Sequence, residues 1–278
     1  MANQSFLKLN DGAQIPQLGF GVFLAKDGNE TYDAVRAALD CGYRHIDTAA
    51  AYGNEASVGR AIRDSGIDPD EIFLTTKVWN EDVRAHRALE ALKDSLKRLG
   101  LPRVSLCLIH WPADGWEDAW KDLVKAKAEG LAGSIGVSNF QIHHLVRLAE
   151  ISDAVPAVNQ VECHPRLPQH ELQRFCKERG GILLEAWSPL GGSRKGESLR
   201  TNPVLCEIAK EHGKSAAQIL IRWQLERGII VLPKSVHKER IEQNFDVFDF
   251  SLTKEDCDRI CTLDDGFRYG SSPDTFNF

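Results

Sequence analysis

Apolar and polar residues follow one another along the chain in two different rhythms. Short runs rich in Val, Ile and Leu are followed by longer segments in which Leu, Ala and Val recur every three or four residues, as in 31–39, 84–99 and 117–128. The short runs are typical of buried strands and the longer segments of amphipathic helices, so their succession predicts parallel strands joined by crossover helices. The predicted strands are residues 18–22, 43–47, 72–76, 104–109, 134–137, 157–161, 182–187 and 229–232.

Eight strand-helix units favour a closed (β/α)8 TIM barrel over an open doubly wound sheet. An open sheet that binds a dinucleotide carries the fingerprint GxGxxG, whereas Gly19 and Gly21 are not followed by a third glycine at a helix start. Ahead of the first barrel strand, SFLKLNDGAQIPQL predicts a β-hairpin that turns at Asp11-Gly12 and closes the barrel floor. Because no linker or low-complexity tract interrupts the pattern, residues 1–278 are expected to form a single domain.

Composition narrows the range of partners. The 278 residues are 42% hydrophobic and 27% charged, a globular balance, and the formal net charge of -6 offers no basic field for nucleic acid. No apolar run approaches the roughly 18 residues that cross a bilayer. The first residues, MANQSFLKLNDG, lack the pattern of a secretory signal, so we expect a cytoplasmic protein that acts as a monomer without a membrane.

Cysteine and histidine spacing does not predict a metal site. The seven cysteines form no CxxC pair and are interpreted as reduced thiols. Cys163, His164 and His170 lack the spacing of metal ligands, and His143 and His144 are expected to point to different helix faces. We therefore expect no metal.

Three consecutive predicted strands end in an ionisable residue: YRHID at Asp47, FLTTK at Lys77 and LCLIH at His110. In a parallel barrel these ends lie side by side at one mouth, and Tyr52, five residues after Asp47, returns to the same place. An acid, a base, a phenol and an imidazole therefore converge on one patch, which is a candidate catalytic site. The alternative is an ordinary buried ion pair beside a core tyrosine.

Several motifs around these residues resemble the aldo-keto reductases, over nearly the whole chain. They are GYRHIDTAAAYGNE, the strand with Lys77, LIHWP, GVSNF, VNQVECHP, WSPLG and LPKSV. Within that family the chain is most similar to members of the 2,5-diketo-D-gluconate reductase and prostaglandin F synthase type. The resemblance implies a catalytic tetrad of Asp47, Tyr52, Lys77 and His110, and a nicotinamide dinucleotide bound without a Rossmann fold. In such a tetrad we expect the ammonium of Lys77 to lower the pKa of Tyr52, which protonates the reduced carbonyl. Asp47 would hold Lys77, and His110 would orient the carbonyl oxygen.

The resemblance also implies a cofactor site. The hydroxyl and amide groups of Ser138, Asn139 and Gln160 match a nicotinamide carboxamide, and Trp187 would stack on the nicotinamide ring. The basic segment LPKSVHKER would bind a 2′-phosphate. This favours NADPH, with NADH bound more weakly, and His237 softens the preference because some relatives carry arginine there. Helix caps and a solvated basic turn are the alternatives. The expected cofactor residues are Ser138, Asn139, Gln160, Trp187, Ser188, Leu190, Lys234, Ser235, Val236, Arg240 and Asn244.

Loops at the mouth complete the expectation. Residues 191–200 are a candidate lid over the cofactor or a plain exposed loop. Phe20, Phe23, Trp79 and Trp111 are expected to form an aromatic cup for the substrate, and the short tail after Asp264 predicts an open pocket. The sequence thus predicts NADPH-dependent reduction of aldehydes and ketones. Two alternatives stay open: a Schiff-base lyase that uses Lys77, and a non-catalytic dinucleotide-binding barrel.

Overall fold

Strands and helices succeed one another in the order that the periodicity predicts. The computed structural model describes residues 4–192 and 198–278. The strands are β1 (Phe6–Lys8), β2 (Gln14–Pro16), β3 (Phe20–Gly21), β4 (His45–Asp47), β5 (Phe73–Val78), β6 (Val104–Ile109), β7 (Ala132–Ser138), β8 (Val158–Glu162), β9 (Leu183–Trp187) and β10 (Ile230–Val231). The helices are α1 (Asn29–Cys41), α2 (Glu55–Arg63), α3 (Asn80–Arg84), α4 (Ala88–Leu99), α5 (Trp116–Ala128), α6 (Ile142–Ile151), α7 (His170–Glu178), α8 (Pro203–Glu211), α9 (Ala216–Glu226), α10 (Lys238–Phe245) and α11 (Lys254–Cys261).

The eight strands β3 to β10 form one parallel sheet in which each strand pairs with the next along the chain. The sheet closes on itself, because Leu18 forms a parallel bridge with Val231 and the N–H of Gly19 donates to the carbonyl of Val231 at 2.9 Å. Every predicted strand is present with its ends within two residues of the predicted ones. The (β/α)8 TIM barrel is therefore confirmed.

The hairpin β1-β2 lies against one end of the barrel. Its turn passes through Gly12, whose φ of +96° suits glycine, and Leu9 and Ala13 are joined by a backbone hydrogen bond of 2.8 Å. Leu9 and Ile15 are buried in one cluster with the barrel-interior side chains Leu106, Leu108, Val158 and Ile230. Burial of these side chains fixes the hairpin on the barrel floor, as predicted.

Most of the helices bury their apolar faces against the outer side of the strands in one large core cluster, whereas α8, α11 and part of α9 pack together in a second cluster. The predicted helix 84–99 corresponds to α4, which begins only at Ala88 because the chain turns at His86, where φ is left-handed at 53°. The alignment of α2 against α4 depends on Gly59, since a Cβ there would overlap the carbonyl oxygen of Leu99. Among the described residues, none of the helices combines the length and apolar character needed to cross a bilayer.

Candidate active site

Four predicted residues meet at the mouth opposite the hairpin; we call Asp47, Tyr52, Lys77 and His110 the Lys77 cluster. Asp47 ends β4, Lys77 lies near the end of β5, and His110 directly follows β6. Tyr52 ends a short 3-10 helix, Ala50–Tyr52, that brings it back over these strands. The buried side chain of Asn54 fixes this loop, because its amide donates to the carbonyls of Val22 and Ala25 at 3.0 and 3.1 Å.

The ammonium of Lys77 is fully buried and lies at the centre of the cluster. It donates to both carboxylate oxygens of Asp47 at 2.7 Å, to the carbonyl of Thr48 at 3.0 Å and to the hydroxyl of Tyr52 at 3.2 Å. Burial alone would lower the pKa of Lys77, but the neighbouring Asp47 and Tyr52 outweigh it and the pKa is raised. Lys77 is therefore a charged, fixed donor.

The acidity of Tyr52 differs from the prediction. Removal from water raises the pKa of Tyr52 to about 12, and the charge of Lys77 lowers it only in part because Asp47 acts in the opposite sense. The expected lowering of this pKa is therefore wrong. The hydroxyl consequently keeps its proton throughout the neutral range.

His110 borders both Tyr52 and the aromatic side chains of the mouth. Its ring lies edge-on to Tyr52 and Trp79, with centroids 5.7 and 5.0 Å away. Burial and then the charge of Lys77 hold the pKa of His110 well below its ordinary 6.5, so the imidazole is neutral. Its buried Nδ1 has no hydrogen-bond partner among the described residues. A neutral ring of this kind donates one N–H to an oxygen.

The four side chains predicted to contact the nicotinamide lie beside the Lys77 cluster, at or near the ends of β7, β8 and β9. The side-chain amide of Asn139 donates to the carbonyl of His110 at 2.9 Å and to the hydroxyl of Ser138 at 3.1 Å. The indole N–H of Trp187 donates to the side-chain oxygen Oδ1 of Asn139 at 2.9 Å. Gln160 donates to Asp47 at 2.8 Å. The four residues are brought together as predicted, and they are hydrogen-bonded to each other and to the Lys77 cluster.

A second part of the predicted cofactor site is a pocket of about 370 Å³ at the N-terminus of α10. It contains all the predicted residues of this region, Arg200 from the candidate lid, and Ser215 and Gln243, which the sequence did not single out. None of its described lining residues is acidic. Ser188, with a left-handed φ of 50°, leads from β9 toward it. The predicted lining residues are Leu190, Lys234, Ser235, Val236, Arg240 and Asn244.

The predicted aromatic cup forms from three of its four members. Phe23 is 51% exposed and packs on Tyr52 with centroids 5.0 Å apart, and Trp79 packs on His110. Phe20 is a correction: it is only 1% exposed and packs edge-on against Tyr43 in the layer between strands and helices. Since Gly19 and Gly21 take the inward positions of this strand, alternation turns Phe20 outward.

Comparisons with known proteins agree with this geometry. A family model described as "Aldo/keto reductase family" matches residues 17–265. The chain belongs to the aldo/keto reductase family. It is 48% identical to a glyoxal reductase of Bacillus subtilis (strain 168) over 273 residues, which is 98% of this chain and 97% of the relative. It is 46% identical to the methylglyoxal reductase DkgA of Escherichia coli (strain K12) over 279 residues, 99% of each chain.

A solved structure supports the same assignment. The crystal structure of MGS-M4, an aldo-keto reductase enzyme from a Medee basin deep-sea metagenome library, superimposes with a TM-score of 0.94 at 46% identity. The match covers 98% of this chain and 100% of that one. The family and the fold that the motifs predict are therefore confirmed.

The tail of this aldo/keto reductase covers the cup, which contradicts the predicted open pocket. Phe278 stacks on Trp79 with centroids 5.9 Å apart and meets Trp111 edge-on at 5.2 Å. The carbonyl of Phe278 accepts hydrogen bonds from the side chains of Asn80 and Arg84 at 3.0 and 2.9 Å. Trp111 is left only 7% exposed. The polar and aromatic composition of the tail gave no periodic signal for this path.

The candidate lid falls partly outside the described residues. Of residues 191–200, positions 193–197 are not described, while Arg200 lines the pocket at α10. The lid stays a prediction.

Two histidines differ from their predicted placement. The rings of His143 and His144 lie with centroids 3.9 Å apart rather than on different faces, and Asp274 lies close enough for the three to form a candidate ligand group. However, Nδ1 of His144 accepts the N–H of Gln141 at 3.1 Å. The neutral ring then carries its proton on Nε2 and has no lone pair free for a metal ion.

Proposed function

We propose that this chain is an NADPH-dependent reductase that converts aldehydes and ketones, small dicarbonyls among them, to alcohols. The observation that carries the proposal is the position of the Tyr52 hydroxyl, 3.2 Å from the ammonium of Lys77 at the floor of an aromatic cup. Membership of the aldo/keto reductase family supports carbonyl reduction. The names of the glyoxal and methylglyoxal reductase relatives support dicarbonyl substrates.

The Lys77 cluster then divides the work of protonation. When bound, a nicotinamide would supply the hydride, and the substrate oxygen that becomes negative would lie between Tyr52 and His110. His110 donates a hydrogen bond to that oxygen and Tyr52 gives it a proton. Because an alkoxide is far more basic than a phenolate, a tyrosine with a raised pKa still protonates it. Lys77 then stabilises the phenolate that remains, and Asp47 holds Lys77 in place.

The polar side chains beside the Lys77 cluster and the basic pocket at α10 fit the two ends of a nicotinamide dinucleotide that carries a 2′-phosphate. Ser138, Asn139 and Gln160 would bind the nicotinamide carboxamide, and Trp187 would stack on the ring after releasing Asn139. At the other end, the pocket combines three basic side chains, Arg200, Lys234 and Arg240, with a helix N-terminus and no acidic lining residue. Such a pocket suits a 2′-phosphate, which supports NADPH over NADH.

Turnover is tested first with the wild-type chain. We expect glyoxal and methylglyoxal to cause a loss of NADPH absorbance at 340 nm, which is the standard readout of nicotinamide oxidation. The loss is expected on the order of minutes at micromolar enzyme. Binding of NADPH without turnover on any carbonyl would favour the non-catalytic barrel instead. Trapping of substrate on Lys77 by borohydride would favour the lyase, which the raised pKa of Lys77 argues against, since an ammonium is not a nucleophile.

Cofactor preference is tested by Arg240→Ala. Because the charge of Arg240 would act on the 2′-phosphate alone, the variant is expected to weaken NADPH by about tenfold or more and NADH by less than about threefold. Fluorescence titration with each nucleotide measures both constants. Lys254→Ala serves as the control, because Lys254 is an exposed cation on α11 that does not line the pocket. This variant is expected to change the affinity for neither nucleotide. Equal losses for the two nucleotides in Arg240→Ala would contradict the phosphate contact.

The seven cysteines are all free thiols, which supports the cytoplasmic location expected from the sequence.

A further inference from the structure

A second buried carboxyl group lies beneath the Lys77 cluster. Glu185 projects from β9 into the barrel and is fully buried. Its Oε2 accepts a hydrogen bond of 2.6 Å from the side-chain amide of Gln160, and the same nitrogen donates to Asp47 at 2.8 Å. One amide group therefore bridges two carboxyl groups, of which only Asp47 is paired with Lys77. In the sequence, Glu185 stands out as the one charged residue in an apolar strand.

The other oxygen of Glu185 faces His45. Oε1 has no hydrogen-bond partner among the described residues, and it lies 3.5 Å from Nε2 of His45. Nδ1 of His45 is 3.3 Å from the carbonyl of Pro16, which only accepts, so the proton of the neutral ring is on Nδ1. Nε2 then carries a lone pair toward Oε1. The ring fits here because residue 19 is glycine. The Cβ of any other residue at this position would lie 2.6 Å from Nδ1 of His45.

A proton on Oε1 of Glu185 satisfies this arrangement. It turns an unpartnered buried oxygen into a donor that faces the lone pair of His45, while Oε2 still accepts from Gln160. The hydroxyl of Thr75, 3.3 Å from Nε2, is the other possible donor to His45 and leaves Oε1 unsatisfied.

The competing arrangement is an ion pair between a protonated His45 and an ionised Glu185. It places a second anion beside Asp47 and a second cation near Lys77, both out of contact with water. Burial first, and then Asp47, raises the pKa of Glu185 to about 8, whereas burial lowers the pKa of His45 to about 3 despite its bond to Pro16. Both directions favour the neutral pair.

We propose that Glu185 is a positioning residue of the Lys77 cluster, held as a neutral carboxylic acid between Gln160 and His45, and that its ionisation sets the alkaline limit of carbonyl reduction. The effect on turnover rests on the proposed function. When Glu185 is neutral, Asp47 is the single anion that shares Gln160 and binds Lys77. Once ionised, Glu185 repels Asp47 across the amide and draws on the charge of Lys77, which makes Tyr52 a weaker acid.

The proton on Glu185 is observed directly by infrared spectroscopy of the wild-type protein. A protonated carboxylic acid has a carbonyl stretching band that carboxylates lack. The difference spectrum between wild type and Glu185→Gln is expected to show this band at pH 7 and to lose it with a midpoint near pH 8. Absence of the band at pH 7 would overturn the proposal, whatever the activity of either protein.

The pH profile of turnover tests the consequence. The measured quantity is the ratio of kcat at pH 9 to kcat at pH 7. For the wild type, kcat is expected to fall about tenfold between these two pH values, as for one group titrating near pH 8. Glutamine at position 185 imitates the neutral acid, so Glu185→Gln is expected to fall less than about threefold, with the change in kcat rather than in KM.

Glu162→Gln is the matched control, since Glu162 is equally buried at the end of the neighbouring strand but binds the backbone N–H groups of Tyr269 and Gly270. Its normalised profile is expected to follow the wild type. A parallel fall in wild type and Glu185→Gln would overturn the role of Glu185. Complete lack of carbonyl reduction at every pH would instead refute the proposed function and leave the infrared result to decide where the proton lies.

Discussion

Lys77 carries its charge in a fully buried site because each of its neighbours accepts a hydrogen bond from it. Two carboxylate oxygens, a carbonyl and a phenol surround the ammonium at 2.7 to 3.2 Å. Removing a partner from such a buried charge typically costs about 3 to 5 kcal/mol, so the group is rigid as well as charged. That rigidity keeps the hydroxyl of Tyr52 in one place at the mouth.

The buried proton on Glu185 has a consequence for the stability of the protein. The pKa of Glu185 is raised from its ordinary 4.5 to about 8, so between these two values the folded chain holds one proton more than the unfolded chain. The stabilisation from this group is therefore complete below about pH 4.5 and is lost as the pH rises toward 8. Glutamine at this position binds no proton.

We therefore expect the free energy of unfolding of Glu185→Gln, relative to wild type, to increase steadily from pH 5 to pH 8 and to level off above it. Urea denaturation of both proteins at each pH measures the difference, in which the other titrating groups cancel. A difference that stays constant over this range would mean that Glu185 ionises normally.

Chemistry at single residues was predictable only in part. The four residues of the Lys77 cluster could be identified because strand ends of a parallel barrel converge. The direction of the Tyr52 pKa could not, because it depends on the balance between burial, Lys77 and Asp47 in three dimensions. The role proposed for Glu185 likewise depends on the position of His45, a residue 140 positions away on another strand.

At the scale of elements, the crossing of α2 and α4 depends on one glycine. Intrinsic helix propensity alone predicts that Gly59→Ala stabilises the protein by about 1 kcal/mol. The added Cβ would overlap the carbonyl oxygen of Leu99, so we expect a loss of about 3 kcal/mol in the free energy of unfolding. Ala56→Gly, at an exposed position of α2, is the control and is expected to cost about 1 kcal/mol. A more stable Gly59→Ala variant would show that the helices separate without cost.

The tail is the element that narrows the substrate cup. Phe278 stacks on Trp79, which itself packs on His110, so Phe278→Ala is expected to raise KM for small carbonyls about fivefold, the equivalent of about 1 kcal/mol of aromatic contact, with little change in kcat. Phe6→Ala, an exposed aromatic of the floor hairpin, is the control. An unchanged KM in steady-state assays of Phe278→Ala would show that the tail does not border the substrate.

Strands were predicted more accurately than connections. The apolar runs locate β3 to β10 within two residues because a strand buried on both faces has little freedom in its sequence. The break at His86 and the course of the tail depend instead on tertiary contacts, such as those of Phe278 with Trp79 and Trp111, which leave no local pattern.

At the scale of the whole molecule, the closed barrel brings distant segments to one mouth. Asp47, Lys77 and His110 come from consecutive strands, whereas the basic pocket follows β10 at the far end of the sequence. Since closure through Leu18 and Val231 places the last strand beside the first, a ligand that extends from the pocket at α10 to Tyr52 remains over one face of the barrel. The barrel rule made this convergence predictable from sequence.

Substitution of Tyr52 by phenylalanine shows whether its hydroxyl is the proton donor, because the change removes one hydroxyl and almost no surface. Single-turnover reduction of methylglyoxal by the NADPH-loaded variant is the measurement, with nucleotide affinity determined in parallel. We expect a rate about a hundredfold or more below that of the wild type, and an NADPH affinity within about twofold of it. A Tyr52→Phe protein that reduces methylglyoxal at nearly the wild-type rate would contradict the role of Tyr52 as proton donor.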